Sequence, residues 1–303
     1  MNARSIDKLW TTIFYIVSLL VVLLLIYLLW EIISKGWGFW DPNFLFGLPS
    51  NTQAGGGIGP QLFNSFYILV LTLAISIPLG LGSGIYLAEY ARPGKFLNFV
   101  RLCIETLASL PSIVVGLFGL LVFVTMTGWG YSLFGGALAI TILNLPSLTR
   151  VSETTLLDVP KNIKEGSLGL GATKWQTIVK ISIPTAIPQL ITGIILSAGR
   201  IFGEAAALIY TAGLTTPVLN SAAPINSQIN PFNFFRPAET LAVHIWKLNS
   251  EGIVPDAKEI AAKSAAVLIV MVLLFNLIAR LIANFIHRRY TGTKRKVKVK
   301  EIM

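Results

Sequence analysis

With 303 residues, 54% hydrophobic and only 13% charged, and a mean hydropathy of +0.71, the chain has roughly half the charge density of a soluble domain and reads as an integral membrane protein. The net charge of +10 lies mostly in the tail from Arg288 to Lys300, where topology and anionic lipid explain it better than nucleic acid, at ~1 kcal/mol per residue. The lone cysteine, Cys103, excludes an intramolecular disulfide; His244 and His287 lack nearby ligands for a metal site, and neither a Gly-x-x-x-x-Gly-Lys-[Ser/Thr] phosphate loop nor a Ser-His-Asp spacing is present.

Apolar windows of about 20 residues fall at 10–33, 62–90, 98–125, 131–149, 185–210 and 262–286, and predict an all-α protein of six transmembrane helices. The first is too long for a signal-peptide core and lacks a cleavage site, so it is expected to be retained. Residues 34–61, rich in Trp and Phe and ending in Ala54-Gly-Gly-Gly-Ile-Gly-Pro60, read as an interfacial anchor followed by a flexible hinge. Gly80-Leu-Gly82-Ser-Gly84 lies in an apolar span and suggests close helix packing rather than a dinucleotide loop. Four spans hold interior prolines, Pro78, Pro111, Pro146 and Pro188. The carbonyls they free at membrane depth must face protein or a water-filled cavity, which implies kinked helices around a polar path. Ser109, Ser112, Asn144 and Ser147 would supply its hydroxyl and amide groups; the plainer alternative is that the kinks only shape packing. The 211–260 loop, with Asn230-Pro-Phe-Asn-Phe-Phe235 and an amphipathic turn near Leu241 to Leu248, is too polar to span. It could meet an external protein or cover the chain's own pore. Asp256 and Glu259 look like the capped start of the last span.

Orientation follows from the cations. With both termini in the cytoplasm, most of the 24 Lys and Arg lie inside and only Lys35, Arg236, Lys247, Lys258 and Lys263 outside, with Arg200 within a span.

The polar stretch at about 150–184 interrupts this pattern. Pro160 suits the first turn of a short helix running to about Leu170, Gly171 a left-handed C-cap, and Thr173 with Gln176 a capping box opening a second helix through Trp175 and Ile178. Lys161, Lys164, Lys174 and Lys180 with Trp175 would also suit a helix lying on lipid. Yet Glu165-Gly166-Ser167, three residues, Gly171, nine residues and Ile181-Ser-Ile-Pro184 resemble the coupling loop of ABC importer permeases, Glu-Ala-Ala, Gly and Ile-x-Leu-Pro at the same spacing. Gly166, Ser167 and Ile183 depart from that pattern by small-for-small or aliphatic-for-aliphatic changes. The resemblance implies that Glu165, Gly166, Ser167, Gly171, Thr173, Ile181 and Pro184 couple to an ATPase.

Arg200 and Glu204 stand one helical turn apart, about halfway along the fifth span as drawn. A charge at the membrane centre costs ~2.5–3.5 kcal/mol on insertion scales, so the pair marks either a functional site or a self-satisfied structural one. As a site, Arg200 would offer donors to a passing oxyanion while Glu204 orients it. Arg200-Ile-Phe-Gly-Glu204, Ser109-Leu-Pro-Ser-Ile-Val-Val-Gly-Leu-Phe-Gly119, Tyr86-Leu-Ala-Glu-Tyr90 and Leu170-Gly-Ala-Thr-Lys-Trp-Gln-Thr-Ile178 together resemble the permeases of the bacterial phosphate-specific ABC importer. The Gly-Gly-Gly-Ile58 run, Thr192-Gly-Ile-Ile195, Tyr210-Thr-Ala-Gly213 and Asn276-x-x-x-Arg280 favour the A-type (PstA-like) subunit; Glu204-Ala-Ala-Ala207 departs from its usual Glu-Thr-Ala-Pro. The resemblance covers about 55–285. It implies a membrane helix and external segment (1–60), a permease domain with a five-helix MetI-like core (61–287) and a basic cytoplasmic tail (288–303). It also implies inorganic phosphate as substrate, with Ser109, Ser112, Asn144, Arg200 and Glu204 along the path. The implied partners are a C-type permease subunit in a heterodimer, two ATPase subunits that use ATP and Mg, and an external phosphate-binding protein. This chain itself would bind membrane lipid but no cofactor, metal or nucleic acid, and would sit in the bacterial plasma membrane. A permease for another oxyanion, or a secondary transporter or channel, is the alternative; an intramembrane enzyme lacks a nucleophile and base.

Overall fold

The computed structural model describes residues 3–50, 54–252 and 254–291, which fold as helices and irregular connections. The tail beyond residue 291 lies outside the described residues. Among the described residues, five helices are long and apolar enough to cross a membrane, or six when one sharply bent pair is taken as a single span. Two compact units are present, 1–60 with 244–271 and 61–243 with 272–303.

In the first unit, helix α1 (Ala3–Lys35) is apolar on every side over most of its length and exposes its side chains from Ile6 to Trp30, as a helix surrounded by lipid does. The short α2 (Pro42–Phe46) begins where the Asp41 carboxylate accepts from the Asn43 N–H, with proline in the first turn. The glycine run after it is not the flexible hinge expected from composition. Gly57, Ile58 and Gly59 donate to the carbonyls of Leu48, Phe44 and Gly47 at 2.8, 2.8 and 3.1 Å. A Cβ on Gly57 would lie 2.4 Å from Gly47 Cα, so glycine serves a close backbone crossing there.

The second unit opens with α3 (Gly59–Ile85), which passes through Pro78 unbroken and ends in a π-helical turn, Tyr86–Tyr90. The window at 98–125 is not one straight helix: α4 (Lys95–Ala108) and α5 (Ser112–Gly119, prolonged by the π-helical turn Leu120–Met126) are bent by 95°. Pro111 has no N–H and sits in extended geometry, and it disfavours helical backbone at Leu110, so the helix must stop and restart.

Helix α6 (Leu133–Leu157) starts at Ser132, whose hydroxyl accepts from the Gly135 N–H, and it continues through Pro146 well past the expected end at 149. It packs closely on α3: a Cβ at Gly84 would meet Ser152 Cβ at 2.3 Å, and one at Gly80 would meet Leu148 Cβ at 2.7 Å. The expected tight packing of this glycine stretch holds for those two positions, while Gly82 faces open space.

Beyond α6 come α7 (Lys161–Gly169), α8 (Lys174–Thr177), a third π-helical turn (Ile178–Ser182) and α9 (Ile183–Gly203), which packs along α6. The window at 185–210 also breaks. Helix α9 stops at Gly203, the chain is extended at Glu204 (ψ 129°), and a separate α10 (Ala206–Thr211) packs against α5 and α6.

Helix α11 (Leu241–Glu251) realises the amphipathic turn, and α12 (Ala257–Thr291) starts immediately after Asp256. The Asp256 carboxylate is not the helix cap expected: its Oδ2 accepts from the Gly55 N–H at 2.7 Å.

Candidate functional site

The 158–184 segment is helix, glycine turn, helix. Pro160 opens α7, and the lack of an N–H is harmless at a helix start. Gly171 has φ +86°, the left-handed region that favours glycine, and its N–H and that of Ala172 donate back to Leu168 and Ser167 at 2.9 and 3.2 Å. The capping box is complete: the Thr173 hydroxyl accepts from the Gln176 N–H and the Gln176 side chain accepts from the Thr173 N–H. Pro184 stands in the first turn of α9, and Ile181 is half-buried in the π-helical turn before it.

The two faces of this loop differ sharply. Ser167 is buried and shares a 2.9 Å hydrogen bond with the Thr177 hydroxyl, so it holds α7 to α8 rather than facing outward. Glu165 and Gly166 are exposed. Outward as well point Ile163, Leu168, Trp175 and above all Leu170, 92% exposed. All four are large apolar side chains exposed on an otherwise polar loop. Of these, Trp175 was already expected on the surface, as the amphipathic residue of a lipid-lying helix; Ile163, Leu168 and Leu170 were not, because the motif landmarks are the residues that shape the turn, not those it displays.

The membrane residues are distributed differently from the straight-helix picture. Arg200 lies in the last turn of α9 rather than halfway along a span, and it is exposed. It makes no ion pair with Glu204 among the described residues, because the break at Glu204 removes the i,i+4 geometry on which the pairing rested. Glu204 Oε1 instead accepts from the Ala207 N–H at 3.2 Å, at the start of α10.

The structure does draw together the two helix breaks and the middle of α6. Leu110 beside Ser109 and Ser112, Ile142 and Leu143 beside Asn144, and Ala207 beside Glu204 join Val115 in one apolar cluster. Ser109 donates to the Thr106 carbonyl at the α4–α5 bend. Asn144 is 1% exposed, and neither its Oδ1 nor its Nδ2 has a hydrogen-bond partner.

Several charged contacts were not foreseen. Arg101 Nε donates to Glu153 Oε1 at 2.9 Å and Arg150 pairs with Glu105 at 2.6 Å, joining α4 to α6. Lys164 of α7 pairs with Glu89 in the π-helical turn after α3 at 2.7 Å. In the loop before α11, the fully buried Arg236 donates to the carbonyls of Pro231 and Pro237 and, at 2.7 Å, to Asn64 Oδ1 of α3. Burial lowers its pKa to about 10, which leaves it cationic at neutral pH. The ion-pair partners, and Asn64 with Arg236, are far apart in sequence, so no local spacing announces them.

Residues 76–292 match the family described as binding-protein-dependent transport system inner membrane component. The chain belongs to this family. It is therefore a permease subunit of an ABC importer, a multi-pass membrane component rather than an enzyme. The permease is 52% identical, over 96% of its length and 100% of the relative's, to the probable ABC transporter permease protein YqgI of Bacillus subtilis (strain 168). It is 30% identical over 92% of its length to the phosphate transport system permease protein PstA of Haemophilus influenzae, covering 94% of that relative. With PstA 1 of Mycobacterium tuberculosis (strain H37Rv) it shares 35% identity over 69% of its length and 70% of the relative's. Among solved structures the permease resembles a chain of a bacterial ABC transporter importing alginate (TM-score 0.60, 15% identity, 95% and 98% of the two chains). It also resembles a chain of the MetNI methionine ABC transporter (TM-score 0.55, 18% identity, 76% and 94%). At those identities the likeness is one of fold.

Proposed function

We propose that this permease imports inorganic phosphate, driven by separate ATPase subunits that dock on the 158–184 loop. The observation that carries the coupling role is the loop itself, two capped helices around a left-handed glycine with Ile163, Leu168, Leu170 and Trp175 turned outward. Two ATPases would use ATP and Mg; this chain binds neither. Likeness to phosphate permeases named PstA at 30–35% identity supports the substrate and, with it, a C-type permease partner and an external phosphate-binding protein. Both termini and the loop would then face the cytoplasm of a bacterial cell, the 211–260 loop the outside, and the permease domain would occupy about 61–287.

Arg200 is the cation on the proposed anion path. It ends a membrane helix, is exposed, and has no carboxylate on it among the described residues, so its donors are available to an oxyanion. Glu204, Ser109, Ser112 and Asn144 would line the same path, gathered by the cluster around Val115 and Ala207. The two unpartnered polar atoms of Asn144 are the ones a hydrated path would satisfy. A second oxyanion stays open because the relative at 52% identity is named only as a permease. The complete complex in proteoliposomes decides it: ATP-dependent uptake of radiolabelled phosphate, displaced by excess unlabelled phosphate and not by sulfate, supports the proposal. Uptake displaced equally by sulfate contradicts the phosphate assignment, and uptake without ATP contradicts the whole reading.

A further inference from the structure

Both helices of the 158–184 loop reach the same turn of the chain. From α7, Lys164 Nζ lies 2.7 Å from Glu89 Oε1, with the two side chains only 16% and 12% exposed. The same ammonium donates at 2.8 Å to the carbonyl of Leu156, one of the last-turn carbonyls of α6 that no helical N–H satisfies. From α8, Lys174 Nζ stands 4.9 Å from the ring centroid of Tyr90, within cation–π range. Glu89 and Tyr90 are consecutive, and both belong to the π-helical turn that ends α3.

A π-helical turn is rare and is found frequently at functional sites. Immediately before it, Gly84 brings α3 against Ser152 and the backbone of Glu153 on α6, too close for a Cβ. Glu89, Tyr90 and Leu156 therefore connect the loop to two spans that are already locked together.

We propose that Lys164 and Lys174 form a two-point latch on Glu89 and Tyr90, and that this latch carries displacement of the loop into α3 and α6. Without it, movement of the loop would be absorbed in the Pro160 and Gly171 turns. Lys164 and Glu89 are thus positioning residues of the transport cycle, acting through the helices they hold and touching no substrate. The proposal rests on the loop being the site of ATPase docking. Its distinguishing consequence is that breaking the latch separates ATP hydrolysis from transport, whereas a bond that only stabilises the loop would lower both together.

The test uses the complete complex in proteoliposomes, with ATP hydrolysed and radiolabelled phosphate taken up measured on the same vesicles, and with ATPase retained on the permease measured by affinity capture. For Lys164→Met and Glu89→Gln we expect uptake per ATP to fall about tenfold, within the range of a coupling free energy between two sites, while the ATPase is still captured. Lys164→Arg, able to keep both of its bonds, should retain the wild-type ratio. Should Lys164→Met fail to assemble, the exchanged pair Glu89→Lys/Lys164→Glu decides: recovery of most of the uptake per ATP upholds the latch. An unchanged ratio, hydrolysis and uptake falling in parallel, or an exchanged pair no better than Lys164→Met would overturn it. Failure of the wild-type permease to capture an ATPase would be a different result, since it would remove the docking role of the loop itself.

Discussion

The 158–184 loop and the Arg200–Glu204 stretch carry equally definite expectations from sequence, and the structure treats them differently. In the loop each expected device is present: a proline at the helix start, a left-handed glycine and a reciprocal capping box. At Arg200–Glu204 the helix that would have carried the pair ends at Gly203, and the expected ion pair is absent among the described residues. The devices expected in the loop rest on contacts between residues a few positions apart, such as the Thr173–Gln176 capping box and the Gly171 turn, which sequence spacing reports directly. The end of α9 is set by tertiary packing, because the chain must release α10 to fit between α5 and α6; Gly116 lies against Ala207 with no room for a Cβ.

That comparison can be broken most severely at Gly171. A β-branched side chain at φ +86° costs ~1–2 kcal/mol of backbone strain and would re-aim α8 with Trp175, so Gly171→Val should abolish ATP-driven uptake and ATPase capture together. Membrane insertion, followed by protease protection, should be normal. Survival of uptake would mean that the turn does not set the docking face.

A loss nearly as large is expected from Arg200→Gln, measured as phosphate uptake by an assembled complex. Because the Glu204 carboxylate accepts from the Ala207 N–H rather than pairing with Arg200, neutralising Glu204 as well should not rescue it. The straight-helix picture predicts the reverse, since removal of the arginine would strand a carboxylate that Glu204→Gln relieves. Recovery of transport in the double variant would therefore restore the ion pair and remove Arg200 from the path.

Arg236→Met tests stability rather than transport chemistry. It strands the Pro231 carbonyl and Asn64 Oδ1 without their donor, and a loss of about 2–4 kcal/mol is expected from unsatisfied buried partners of a charged group, read as a lower thermal midpoint of the detergent-solubilised protein. An unchanged midpoint would mean that the loop before α11 is not held by this network. The smallest effect belongs to Glu204→Gln: the amide oxygen can still accept from Ala207, so uptake should stay within about threefold of wild type, while Glu204→Ala should cost ~1 kcal/mol as one lost hydrogen bond.

Much of the architecture was legible because membrane helices announce themselves by length and hydropathy. Windows at 10–33, 62–90, 131–149 and 262–286 correspond to α1, α3 with its π-helical turn, α6 and α12, and in each the helical backbone starts before the window, ends after it, or both. Pro78, Pro146 and Pro188 lie within helices that continue, whereas Pro111 divides one. Composition does not separate those cases, since the outcome depends on whether neighbouring helices satisfy the freed carbonyl. Long-range partners were the least legible. Glu89 was visible only as part of Tyr86-Leu-Ala-Glu-Tyr90, and nothing local in that motif points to Lys164.

Orientation rests on the distribution of cations, and site-directed labelling tests it at positions the structure exposes. Leu170→Cys and Ile225→Cys, in a Cys103→Ser background, replace side chains that are 92% and 70% exposed. A membrane-impermeant thiol reagent added outside intact cells should label position 225 and not 170. Labelling at 170 would invert the topology.

The claim on which the account turns is that the outward face of the loop holds the ATPase. A photo-crosslinking amino acid at Leu170, in the complete complex reconstituted in lipid, addresses it directly because that side chain is among the most exposed of the loop. The account predicts a crosslink to the ATPase subunit, lost on adding Gly171→Val. A crosslink to lipid alone, in a complex that still transports, would contradict it.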